Sequence, residues 1–132
     1  MGIAVMWDND EQTIIRMEFN RGWDFGGFRK AIEQVHEWSN EANNPTFRGV
    51  IVDLTRETFP PVGALPHFKY AVAGGGDNPR PVVFVGSDPL TKRLFEMLKS
   101  AYKVQRPLHF VNTLEQAYAI LQPLTAAIRD TA

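Results

Sequence analysis

The chain has 132 residues, 44% of them apolar and 22% charged, with a formal net charge of -1. That length suits one domain, spanning residues 1–132, that can bury a core without metal or disulfide staples, and the charge argues against bulk attraction to nucleic acid or an anionic membrane surface. The absence of cysteine excludes a disulfide framework, thiolate chemistry and thiol metal sites.

The opening MGIAVMWDNDEQ has no basic region followed by an apolar block, and no apolar run approaches roughly 18 residues. The expectation is a cytoplasmic chain with neither signal peptide nor membrane span. Gly2 invites a lipidation reading, but Met6 stands where Ser or Thr is required. Ile3 to Trp7 and Thr13 to Phe19 are β-rich runs joined by the polar cluster Asp8 to Gln12, which predicts a hairpin. In the second run Ile14, Arg16 and Glu18 alternate with the greasier Ile15, Met17 and Phe19, the pattern of a strand near a sheet edge.

Asp24 is placed to cap a helix in which Phe25, Phe28, Ile32, Val35 and Trp38 recur at helical spacing, ending before Pro45. Gly26 and Gly27 cost about 1 kcal/mol each relative to Ala and soften its first turn. The next run, FRGVIVDLTRETFPPVGAL from Phe47 to Leu65, organises the chain. Val50 to Leu54 are apolar except Asp53, so no face is left for solvent, and a central strand covered on both sides is predicted. A loop follows to Ala64, then a short helix from Pro66 with Leu65, Phe68 and Val72 on one face.

The triple glycine at 74–76 leads into a second apolar strand, Pro81 to Gly86. Ser87 and Asp88 with Pro89 open a helix carrying Leu90, Leu94, Phe95, Leu98 and Tyr102. Leu108 to Val111 is a short strand, and Thr113 with Gln116 forms a capping box for a last helix that turns Leu114, Ala117, Ile120 and Leu121 inward. The order β-β-α-β-α-β-α-β-α predicts an α/β fold with one mixed, mostly parallel sheet of about five strands, an N-terminal hairpin and about four helices.

DLTRETFPPVGAL, followed by VVFVGSDPLTKRLFEMLKSAYKVQRPLHFVNTLEQAYAIL, resembles the STAS domain, the fold of bacterial anti-sigma-factor antagonists and of the cytosolic tail of sulfate transporters. The matching residues are Asp53, Leu54, Thr55, Thr58, Phe59, Leu65 and Thr113 to Ala117, and the resemblance covers about residues 11–122. Trp7, the Arg21-Gly22-Trp23 turn and Phe25 make the chain look more like uncharacterised bacterial STAS-like proteins than like the antagonists. The resemblance implies a protein-interaction or signalling module. Yet Pro61 and Val62 fall where the family has its Asp and phosphorylatable Ser, and Gly63 where it has the next Ser, so the switch position carries no hydroxyl. Thr55 and Thr58 lie upstream of it.

The apolar, proline-stiffened run Phe59, Pro60, Pro61, Val62 either folds over the core or presents a preorganised contact surface, extended by Leu65, Phe68 and Tyr70. On the second reading it takes a protein partner or a second copy of the chain. A small apolar or lipid-like ligand held beneath this loop is the alternative. Asp53 is read as the anchor of the following loop; a receiver-like phosphoacceptor role would also need an acidic pair after the first strand and a lysine after the last. Ser87, Lys92 and Arg93 at a helix start are weak candidates for an anion site. His36, His67 and His109 show no metal-ligand spacing, and no nucleophile motif is present, so no metal, cofactor or catalytic residue is assigned.

Overall fold

The computed structural model describes residues 2–40, 47–56, 80–86, 89–101 and 107–121. Its frame is a five-stranded sheet in the order β1-β2-β3-β4-β5, with β1 at Ile3–Trp7, β2 at Ile14–Phe19, β3 at Gly49–Asp53, β4 at Val82–Val85 and β5 at Leu108–Val111. β1 runs antiparallel to β2, Ile3 opposite Phe19 and Trp7 opposite Ile15. The strands from β2 to β5 are parallel, with Val50 between Ile15 and Val82, and Phe84 beside Phe110. The described helices are α1 at Phe25–Asn40, α2 at Pro89–Ala101 and α3 at Leu114–Leu121. The helix expected from Pro66 lies outside the described residues.

β3 is buried at every position, Asp53 included, as a run with no solvent-facing side requires. One face of the sheet collects Ile15, Met17, Phe19, Val50, Val52 and Phe84 against Phe28, Ile32 and Val35 of α1 and Phe95 of α2. Sequential parallel strands joined by crossovers of one hand place both helices on this side. The packing there is largely aromatic: Phe84 stacks on Phe110 at 5.0 Å and meets Phe95 at 4.3 Å, while Trp7 stacks on Trp38 at 5.2 Å with the ring planes 9° apart. The opposite face carries Ile14, Ile51, Val83 and Val85 under Ala117 and Leu121 of α3. Each such fully buried aliphatic side chain contributes about 1.5–3 kcal/mol relative to exposure.

The helix ends follow their capping residues. Asp24 Oδ1 accepts from Gly27 N–H at 2.7 Å, and the Thr113/Gln116 box is reciprocal. Gln116 N–H donates to Thr113 Oγ1, while Gln116 Oε1 accepts from the N–H groups of Asn112 and Thr113. α2 departs from its expected stripe: Leu90 is 62% exposed, and Thr91 turns inward beside Leu94 and Phe95. Thr91 stands three and four residues before Leu94 and Phe95 and so shares their buried face, which leaves Leu90 on the solvent side. β2 lies near the sheet edge as its alternation predicts, second in the order and covered on its outer side by β1.

Candidate functional site

At the carboxyl end of β3, Asp53 points to the α3 side of the sheet, level with Glu18 of β2. It is 3% exposed, and both of its oxygens are engaged. Oδ1 accepts from the Thr55 N–H at 2.9 Å and from the Thr55 hydroxyl at 2.6 Å, a turn closed two residues on by the side chain. Oδ2 accepts from Arg16 Nη2 at 3.1 Å.

Arg16 sits where three carboxylates converge. Its Nη2 lies 2.7 Å from Glu18 Oε2 as well as 3.1 Å from Asp53, and its Nη1 lies 3.5 Å from Asp8 Oδ1. Tyr118 of α3 donates its hydroxyl to the same Asp8 oxygen at 2.8 Å. β1's end, β2, β3 and α3 are thereby tied through one guanidinium. Its Nε is buried and has no partner among the described residues.

Burial opposes the charge on Arg16, but Glu18 and Asp53, with hydrogen bonds to Asp53 and Asp8, outweigh it and hold the guanidinium pKa above its ordinary value. Burial likewise works against ionised Asp53. The Thr55 hydroxyl and N–H together with the charge of Arg16 overcome it and hold the carboxyl below the usual range. For Tyr118, burial and the bond to Asp8 both favour the neutral phenol and push its pKa up.

The rim beyond Asp53 is tied down by backbone as well. Leu54 N–H donates to Val85 O at 2.9 Å, and Arg56 Nη1 reaches Asn20 Oδ1 at 3.2 Å. Gly86, at φ +77°, allows the end of β4 to lie against Thr55; a Cβ there would stand 2.9 Å from Thr55 Cγ2. The strand therefore delivers its loop from a fixed origin.

Of the residues singled out from the sequence, Asp53 takes this position in the cluster. Phe59, Pro60, Pro61, Val62, Leu65, Phe68, Tyr70, Ser87 and Thr58 lie outside the described residues. Lys92 and Arg93 are exposed on α2, and Lys92 Nζ lies 6.0 Å over the Phe110 ring, a cation–π placement that needs no anion. From the sequence, Arg16, Glu18 and Tyr118 are not singled out for the site, and Asp8 is assigned only to the hairpin turn. The signal available was a charged pair within the β2 run, which an interior strand has to neutralise locally. Among the described residues, no group of His, Cys, Asp or Glu side chains is arranged to hold a metal ion, and no helix is long and apolar enough to cross a membrane.

No protein-family model matches the chain, and no curated protein matches it. The functional reading therefore rests on the residues and their geometry.

Proposed function

We propose that the chain is a non-catalytic, cytoplasmic interaction module of the STAS-like kind that binds a protein partner through the loop after β3. The reading places the contact surface on Phe59, Pro60, Pro61, Val62, Leu65, Phe68 and Tyr70. The observation that carries it is the full engagement of Asp53. With Oδ1 on Thr55 and Oδ2 on Arg16, the carboxylate has no oxygen left uncommitted for acid–base work, and it instead fixes the first residues of the loop. A loop that starts from a pinned rim and continues through two prolines loses little conformational freedom on binding. The α/β architecture with a leading hairpin and a mostly parallel sheet agrees with the resemblance. The lack of a hydroxyl at residues 61–63 separates this module from a phosphorylation switch.

The test is affinity capture from the native host with tagged wild type and with the Phe59→Asp/Val62→Asp double variant. The variant is expected to lose the partner while its thermal midpoint stays near that of the wild type. Undiminished capture by the variant, or no partner on the wild type, refutes the reading.

A further inference from the structure

We propose that the outer edge of β1 is a self-association surface, on which a second copy of this chain pairs its own β1 antiparallel to the first and continues the sheet across a two-fold axis through Val5. This goes beyond the loop reading above and uses none of its residues.

The backbone phase comes first. Asp8 N–H donates to Ile14 O and Asn20 N–H to Gly2 O, both at 2.7 Å. Even-numbered residues of the first strand therefore exchange bonds with β2. In an antiparallel ladder the groups of alternate residues point the other way, so the N–H and C=O of Ile3, Val5 and Trp7 face outward. Among the described residues no strand pairs with that edge.

Such an edge is ordinarily protected by charge, proline or a bulge. β1 reads IAVMW, with neither charge nor proline, and it pairs residue for residue with β2, so no bulge twists it away. All five residues are half-buried.

The edge is also self-complementary. Pairing about Val5 sets Val5 against Val5 of the second copy and Ile3 against its Trp7, so every outward group of these residues finds a partner. Centring on another residue of the strand leaves some of them unpaired. The strand carries no charge, and the groove beside it is lined by one charge of each sign, Asp24 and Lys30, so neither an acidic nor a basic peptide is favoured over a like strand that matches the edge bond for bond.

Side chains support the same register. Beside the edge, on the α1 face, runs a groove of about 530 Å³ whose lining includes Ile3, Val5, Trp23, Gly27, Gln34 and Trp38. Cross-strand partners share a face. The Ile3, Val5 and Trp7 side chains of the second copy would therefore fall against this groove, its Trp7 beside Ile3.

The chain has no cysteine, so a single introduced thiol reports cleanly. A hydrogen-bonded antiparallel pair holds its Cα atoms about 5.5 Å apart, within disulfide reach. Sedimentation of the wild type at micromolar to near-millimolar concentration is expected to show twice the 14.9 kDa chain mass. Val5→Pro removes an outward N–H, a change that edge strands tolerate, and is expected to give a folded monomer. Val5→Cys should oxidise to a covalent dimer, whereas Glu33→Cys, on the exposed side of α1, should not. A monomeric wild type overturns the proposal, as does a dimer that persists in folded Val5→Pro or a Val5→Cys chain that fails to cross-link. Should Val5→Pro unfold, the cysteine pair decides alone. Failure of the loop reading would leave these masses unchanged, so the two outcomes are separable.

Discussion

Arg16→Met should destabilise the fold more than Asp53→Asn, although the two residues are partners in one ion pair. Removing the guanidinium leaves Asp53, Glu18 and Asp8 facing one another with side-chain exposures of 3%, 14% and 8%. Stripping one partner from a buried pair costs about 3–5 kcal/mol, because the remaining charge is uncompensated. Asp53→Asn is milder: its carbonyl oxygen still accepts from Thr55, and Arg16 keeps Glu18 at 2.7 Å, so about 1–3 kcal/mol is expected. The double variant should cost less than the sum by about 1–3 kcal/mol, since Arg16→Met hurts chiefly by orphaning the carboxylate that Asp53→Asn removes. Urea unfolding followed by tryptophan fluorescence, at one fixed protein concentration, measures all of these. The pH dependence adds a second reading. The folded pKa of Asp53 is depressed, so its contribution is fully present above the unfolded value of about 3.9 and is lost as pH falls through the folded value. The gap between wild type and Arg16→Met should accordingly narrow on acidification. Additive single costs, or a gap that stays constant down to acidic pH, would refute the claim that Arg16 acts by neutralising Asp53.

Two further outcomes follow from local geometry. Gly49→Ala should cost more than about 2 kcal/mol in the same unfolding assay, because its Cβ would stand 2.5 Å from the Pro81 carbonyl oxygen and 2.8 Å from Leu121 Cδ2, at a φ of +155°. A cost below about 1 kcal/mol would mean that β4 and α3 can give way. The phenol of Tyr118 should ionise above the ordinary tyrosine range in an ultraviolet titration, its signal assigned by Tyr118→Phe. Its folded pKa is raised, so its contribution is complete below the unfolded value of about 10 and fades as pH climbs through the folded one. Normal titration would separate it from Asp8.

Local signals carried much of the fold. A run apolar but for Asp53 forms β3, buried throughout, and Asp24 and the Thr113/Gln116 box each cap the helix they announce. Such features depend on neighbours within a few residues, and periodicity reads them directly. Leu90 was misplaced because one residue at a helix start does not reveal the helix phase. The ion cluster was beyond reach for a different reason. Arg16 meets Asp53 37 positions away, and Tyr118 meets Asp8 110 away. Those pairs exist only once the strand order is set, which strand–helix alternation leaves open. The alternation of β2 places it near the sheet edge, as found, but does not tell that Arg16 and Glu18 on its polar face are partly buried and paired there, Arg16 also with Asp53 and Asp8.

A buried ion cluster is weak evidence for net stability, because desolvation offsets most of the Coulombic gain. Its stronger consequence is for register. A one-residue slip of β2 would turn Arg16 and Glu18 onto the face that carries Phe28, Phe84 and Phe95, with no counter-charge among those residues. The unpaired ions would cost several kcal/mol each. The same register sets which residues of β1 face outward, since Asp8 is bound to β2 by its backbone and to Arg16 by its side chain. It also brings Asp53 level with Glu18 and so locates the origin of the loop. The cluster thus underlies both proposals, which share no residue: it fixes Asp53, from which the proposed contact loop continues, and it fixes the outward phase of the edge centred on Val5. Arg16→Met tests both, because loosening the register should weaken partner capture and self-association together, whereas the loop and edge variants each affect one.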